Sequence, residues 1–154
     1  DVDDFYWKKT EPPFQTKIPL AERNAMLWKA FNAVESSIVS GSLVSWGALW
    51  ETAFDLAIFL RLPAVVRMER LRARERFRHG EKLETDETVK SISKAFLEWA
   101  SHYDNPIFKG RSLAVHKRWM EKLTCPVLEI SGDLTNDERK QLVLQNYDRD
   151  LRSF

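Results

Sequence analysis

Residues 54–80 read FDLAIFLRLPAVVRMERLRARERFRHG, and the fold is read outward from them. The first part, Asp55 to Leu62, is an apolar block, long enough for a strand and too short for a membrane span. Leu56, Ala57, Ile58, Phe59 and Leu60 are apolar on both parities, so both faces are expected to be covered, as in a buried parallel strand. Pro63 ends that strand and suits the first turn of a helix. The helix predicted next carries Arg67, Arg70, Arg72, Arg74, Arg76 and Arg78, with Glu69 and Glu75 between them. A buried strand running at once into an arginine-dense helix suggests a sheet whose carboxyl edge faces a polyanion.

Two readings compete for these arginines. In one the helix is a solvated surface laced with Arg–Glu pairs, each worth roughly 0.5 kcal/mol or less. In the other the guanidinium forks, charged at any relevant pH, grip phosphate oxygens in pairs. Helical spacing puts Arg67, Arg70, Arg74 and Arg78 on one stripe, where the cations repel each other unless an anion visits.

The whole chain adds bounds. Its 154 residues suit one domain, and 44% hydrophobic residues can bury a full core. A formal net charge of +1 gives no general pull toward nucleic acid or membrane, so the local cluster matters more than the total. Only Phe77 lies among the arginines to stack a base, which ranks RNA low as a partner. Cys125 is the one cysteine and reads as a buried structural thiol, which fits a reducing compartment. His79, His102 and His116 have no metal-ligand spacing with each other or with Cys125, which disfavours zinc, and there is no Gly-x-Ser-x-Gly elbow for an esterase. With no signal peptide or transmembrane segment in sight, the expectation is a soluble cytoplasmic protein without a membrane partner.

Taken in order, the chain opens DVDDFYW, three carboxylates around an aromatic triplet. This is either a surface loop with an aromatic anchor, or a carboxylate cluster at a strand end, placed to bind Mg²⁺ or a substrate hydroxyl. Leu20 to Val34 reads as a helix. Ser37 to Ser42 reads as a short buried strand running into a turn, with Gly41 allowing a ligand close to the strand end. GSLVSWG, 41–47, lacks the Lys-Ser/Thr pair of a phosphate loop. Ser91 to Tyr103 is a helix with Ile92, Phe96, Trp99 and Tyr103 on its core stripe, and Phe108 to Leu123 is another. Arg111 and His116 are surface residues or line the arginine side of a cleft. Pro126 to Ile130 is a strand, leading through Ser131-Gly132-Asp133 to a last helix that starts near Thr135 or Asn136. Short strands near 37–41, 55–61 and 126–130, alternating with helices, predict an α/β parallel sheet with helices on both faces.

Five pieces together, DVDDFYW, SIVSGSLVSWG, the 54–80 segment, FLEWASHYD and CPVLEISGD, resemble the adenylate-kinase-like P-loop kinases, and more narrowly a bacterial ATPase/kinase branch of them. The resemblance runs over nearly the whole chain. It implies a single three-layer domain over 1–154, a mobile lid at about 72–90, and transfer of phosphoryl from ATP, with Mg²⁺, to a nucleotide or small-molecule acceptor. By that resemblance Arg70 and Arg74, with the loop Ser131, Gly132 and Asp133, hold ATP. Arg74, Arg76 and Arg78 close on the transferring phosphate. Asp3 and Asp4 face acceptor and metal, Gly41 ends the strand at the acceptor pocket, and Arg111 joins the substrate side. Such kinases begin with a strand, a Gly-rich loop and a helix. None of that stands in residues 1–154, whose glycines are 41, 47, 80, 110 and 132. The expectation is a fold incomplete by its first strand, phosphate loop and first helix, roughly 20–30 residues that the intact chain would supply. The chain by itself is then expected to be inactive. The alternative is a non-catalytic anion- or nucleotide-binding module of the same fold.

Overall fold

The apolar block ahead of Pro63 does fold as a strand, β1 (Ala57–Arg61), and the block after Pro126 as β2 (Val127–Ser131). They pair in parallel, Ala57 against Val127 through Arg61 against Ser131. The computed structural model describes residues 1–11 and 13–150, the side chains of 148–150 excepted. Among the described residues this two-stranded pair is the only sheet. The three-layer P-loop kinase-like sheet with helices on both faces is therefore not formed; the architecture is helix-rich, mixed α/β. The physical reason lies partly in residues 37–41. They form no strand: Ile38 is 98% exposed, and the backbone bond they accept is a single one, from the Val2 N–H to the Ser40 carbonyl at 2.9 Å. A strand needs a ladder along its length and a buried face, and this segment has neither. β1 also departs from the two-faced reading. Its burial alternates, with Ala57, Phe59 and Arg61 turned inward and Ile58 and Leu60 exposed.

The chain divides into two units, Asp1–Ala53 and a second that begins at Phe54. In the first, α1 (Asp3–Tyr6) and α2 (Leu20–Phe31) gather an aromatic core with the 3₁₀ turn Ala48–Glu51. Trp46 and Trp50 are its largest buried side chains. The Trp50 indole N–H donates to Asn24 Oδ1 at 2.8 Å, and the Asn24 amide donates to the Trp46 carbonyl at 2.7 Å. The Arg23 guanidinium lies 4.4 Å from the Tyr6 ring and 4.7 Å from that of Trp46, so a buried cation is held by aromatic faces.

In the second unit α3 (Ala64–His79) starts directly after Pro63 and stops at Gly80, whose φ of 53° an ordinary side chain disfavours. Arg76, Arg78 and His79 fill its last turn, where cations offset the helix dipole. A short α4 (Lys82–Thr85) leads to α5 (Glu87–Ser101), capped by the Asp86 carboxylate, which accepts from the Thr88 and Val89 N–H groups. The buried positions of α5 are the small Ser93 and Ala100, which let it approach α3 closely; the expected aromatic stripe is only half turned in, and Trp99 is 40% exposed. A 3₁₀ turn, His102–Asp104, and α6 (Leu113–Met120) precede β2, and α7 (Asn136–Asp150) follows it. No helix among the described residues is long and apolar enough to cross a membrane.

The start of α7 makes a pH prediction. Thr135 Oγ1 accepts from the Glu138 N–H, and the Glu138 carboxylate accepts from the Thr135 N–H and hydroxyl, a reciprocal cap. Those two bonds, backbone first, hold the Glu138 carboxyl below the usual range. A carboxylate lowered on folding stabilises above its ordinary value, near 4.3, and the contribution is lost as pH falls through the lower folded value. Glu138→Gln keeps the cap but not the titration. The difference in thermal midpoint between wild type and E138Q is expected to shrink between about pH 6 and about pH 3; a difference constant over that range would show that the charge is not what the cap uses.

Candidate functional site

The site begins where β1 and β2 end. Gly132, with φ of 116°, turns the chain after β2, and its N–H donates to the Arg61 carbonyl at 3.0 Å. The turn delivers Asp133 to Arg70, whose guanidinium donates to Asp133 Oδ1 across 63 residues of sequence. Both side chains are about half exposed, so the pair contributes roughly 0–1 kcal/mol and serves placement more than stability. Ser131, Gly132, Asp133 and Arg70 thus stand together at the carboxyl end of a parallel strand pair.

Further along α3, Arg72, Arg74 and Arg76 make no ion pair among the described residues. The Arg74 guanidinium lies 5.3 Å from the Phe96 ring. Arg72 and Arg76 line an open groove of about 490 Å³ with Lys90 and Lys94, faced by Glu75 and Glu84. Arg78 reaches Glu75 at 4.0 Å, and His79 reaches the same, buried carboxylate at 3.7 Å. The stripe of four arginines is therefore not a bare row of cations. Arg67, Arg70 and Arg78 each face a carboxylate, so mutual repulsion does not by itself demand an anion.

Arg67 turns to Asp104, donating at 2.8 Å, and its guanidinium lies 4.9 Å from the Tyr103 ring. Arg61 stands 3.9 Å from the other oxygen of Asp104. Arg111 belongs to this second group: its charge opposes the raised pKa of Tyr103 and adds to the lowered pKa of His116. Burial, the larger influence on Tyr103, raises its pKa and keeps the phenol protonated. Burial likewise leads in lowering the pKa of His116.

Asp3, Asp4 and Gly41 lie in the first unit. Asp3 and Asp4 open α1 and are exposed. The Val2 N–H bond to Ser40 and the Ser40 hydroxyl bond to Asp1 Oδ2 at 3.2 Å bring this turn to Gly41. What approaches the Gly41 backbone is the side chain of Val2. Among the described residues no three His, Cys, Asp or Glu side chains are arranged to hold a metal ion. Sequence reasoning passed over Arg61 and Asp104 and read Tyr103 as part of a core stripe. Asp104 lies 37 residues from Arg67, and nothing local announces their meeting.

These features define a mixed α/β protein with an arginine helix set on the end of a parallel strand pair. The chain is 41% identical over 144 residues to uncharacterized protein YqaC of Bacillus subtilis (strain 168), a match covering 94% of this chain and 79% of that protein. The chain belongs to the YqaC family. No family model matches it, and no solved structure does.

Proposed function

We propose that the protein binds the phosphates of ATP beside the carboxyl end of β1 and β2. Joined to a phosphate loop, it transfers the γ-phosphoryl group to a nucleotide or small-molecule acceptor. The observation that carries this reading is the meeting of Arg70 with the Ser131–Gly132–Asp133 turn. Ligands of parallel α/β sheets sit outside the carboxyl ends of the strands, and there this chain gathers a guanidinium and a loop. Arg74 and Arg76, which make no ion pair among the described residues, have charge to offer the equatorial phosphoryl oxygens, and Arg78 follows them on the helix. Mg²⁺ supplies charge neutralisation between phosphates when bound. It commonly takes one or two protein carboxylates and completes its shell with phosphate and water. ATP and a single reduced thiol both fit the cytoplasm.

A second reading, an anion- or nucleotide-binding module without turnover, has one observation in its favour. The arginines are in place while residues 1–154 hold no Gly-rich loop with a Lys-Ser/Thr pair. Positioning supplies most of phosphoryl-transfer catalysis, and backbone N–H groups with a lysine do that positioning. The 154-residue chain is expected to bind ATP weakly through Arg70 and to consume none with Mg²⁺. A version extended at its N-terminus by a phosphate-loop unit is expected to turn over, and Arg70→Gln in it to weaken ATP binding. Equal turnover with and without the loop, or an extended chain that fails to bind ATP, would overturn the reading.

A further inference from the structure

α3 and α5 are joined through Gly80 and the short α4, and Arg67 near the start of α3 reaches Asp104 just beyond the end of α5, so the two helices run antiparallel. Between them lies the open groove of about 490 Å³, a volume in the range of small-molecule sites. Helical spacing puts Met68, Arg72 and Arg76 on the face of α3 that lines it, and Lys90, Lys94 and Leu97 on that of α5. The antiparallel run sorts this lining. Arg76 and Lys90 stand toward α4, where Glu84 joins them, and Met68 and Leu97 stand toward the other end.

Much of the charge here is already answered. Lys90 lies 3.3 Å from Glu87, and His102 lies 3.2 Å from Glu98. The buried Glu75 faces Arg78 and His79. Arg72, Arg76 and Lys94 remain, three cations without an ion pair among the described residues, against the one carboxylate of Glu84. They stand on both walls, so like charges face each other across open space. Ser93 is a second, independent sign of a ligand. It lines the groove, is 4% exposed, and its hydroxyl makes no hydrogen bond among the described residues. Thr85 and Ser101 donate theirs to a backbone carbonyl within one helical turn. A buried hydroxyl is seldom left without a partner.

We propose that this groove binds a small organic phosphate, a phosphate monoester on an apolar body. The phosphate lies among Arg72, Arg76, Lys94 and the Ser93 hydroxyl, and the body runs over Met68 and Leu97. A carboxylate has two oxygens and fills one guanidinium fork. A monoester has three terminal oxygens for two walls and the buried hydroxyl, and its charge of nearly −2 offsets the surplus of cations. The site does not depend on the nucleotide reading, in which Arg72, Ser93 and Lys94 take no part. ATP failing to bind at Arg70 would leave it standing.

The test is isothermal titration calorimetry of the full 154-residue chain, with 1-naphthyl phosphate as the probe. Saturable binding is expected. Inorganic phosphate, which lacks the body, and 1-naphthoate, which offers a carboxylate, are each expected to bind at least about tenfold more weakly. Arg72→Gln, Lys94→Gln and Ser93→Ala are each expected to weaken binding of the probe about tenfold. Arg72 and Lys94 are exposed, so their variants keep the fold and carry the test even where Ser93→Ala does not fold. Lys109→Gln, which removes an exposed charge outside the groove, is expected to bind like wild type. No saturable binding, inorganic phosphate or 1-naphthoate binding as tightly as the probe, Arg72→Gln and Lys94→Gln chains that bind like wild type, or equal weakening by Lys109→Gln would overturn the proposal.

Discussion

Trp50→Ala is expected to destabilise the chain by about 3–5 kcal/mol, the usual range for removing a large buried aromatic. Trp50 is 0% exposed and packs edge-on against Trp28, Phe31 and Trp46, with ring centres 5.6, 5.9 and 6.5 Å away. Alanine would leave a cavity among rings that cannot collapse into it and would strip Asn24 Oδ1 of its indole donor. Folded domains hold roughly 0.05–0.15 kcal/mol per residue, so a unit of this length has little to spare. Urea unfolding followed by circular dichroism should show the first unit lost well before the second. Trp50→Phe restores most of the volume but not the N–H, and is expected to cost about 1–3 kcal/mol through the unsatisfied amide oxygen. Equal stability of W50A and wild type would mean that the aromatic cluster is not the core of this unit.

Gly41→Ala is expected to cost about 2–4 kcal/mol, from backbone strain and overpacking together. Gly41 has φ of 112°, a conformation that L side chains rarely adopt. A Cβ there would lie 2.2 Å from Cγ2 of Val2, a side chain only 2% exposed and anchored by its N–H bond to Ser40. The two causes separate in a double-mutant cycle. Val2→Ala removes the clashing methyl but not the strain, so the double variant should recover part of the Gly41→Ala loss. No recovery would assign the whole cost to φ.

The structure bears out the expected elements where a local signal was strong, and it departs from them where the outcome depended on partners. An apolar run closed by Pro63 marked β1, and the arginine run with Gly80 behind it marked α3. Burial of both faces of β1 was not legible, because apolar residues on both parities show only that both faces tolerate burial. Ile58 and Leu60 stay exposed. Ser37–Ser42 has strand-like composition, but composition does not supply a ladder. The stripe Ile92, Phe96, Trp99 and Tyr103 has the right period, yet α5 buries Ser93 and Ala100 instead, since a close helix crossing favours small residues. The pairing of Arg70 with Asp133 and of Arg67 with Asp104 arises only when distant segments meet. The indole core around Trp46 and Trp50 sat in a stretch read for its glycines. Six tryptophans in one short chain were the available signal.

The placement of those indoles makes the protein's own light emission a lopsided reporter. Trp7, Trp28, Trp46 and Trp50 belong to the first unit, and Trp99 and Trp119 to the second. Trp46 and Trp50 are sealed from water, whereas Trp99 stands partly in it. A dissolved quencher such as iodide should therefore dim Trp99 at once and leave a blue-emitting fraction from the sealed pair. When that fraction moves to the red, the signal is the opening of residues 1–53, whatever the arginine-bearing half is doing. An optical melting curve of this chain weighs its smaller half most heavily.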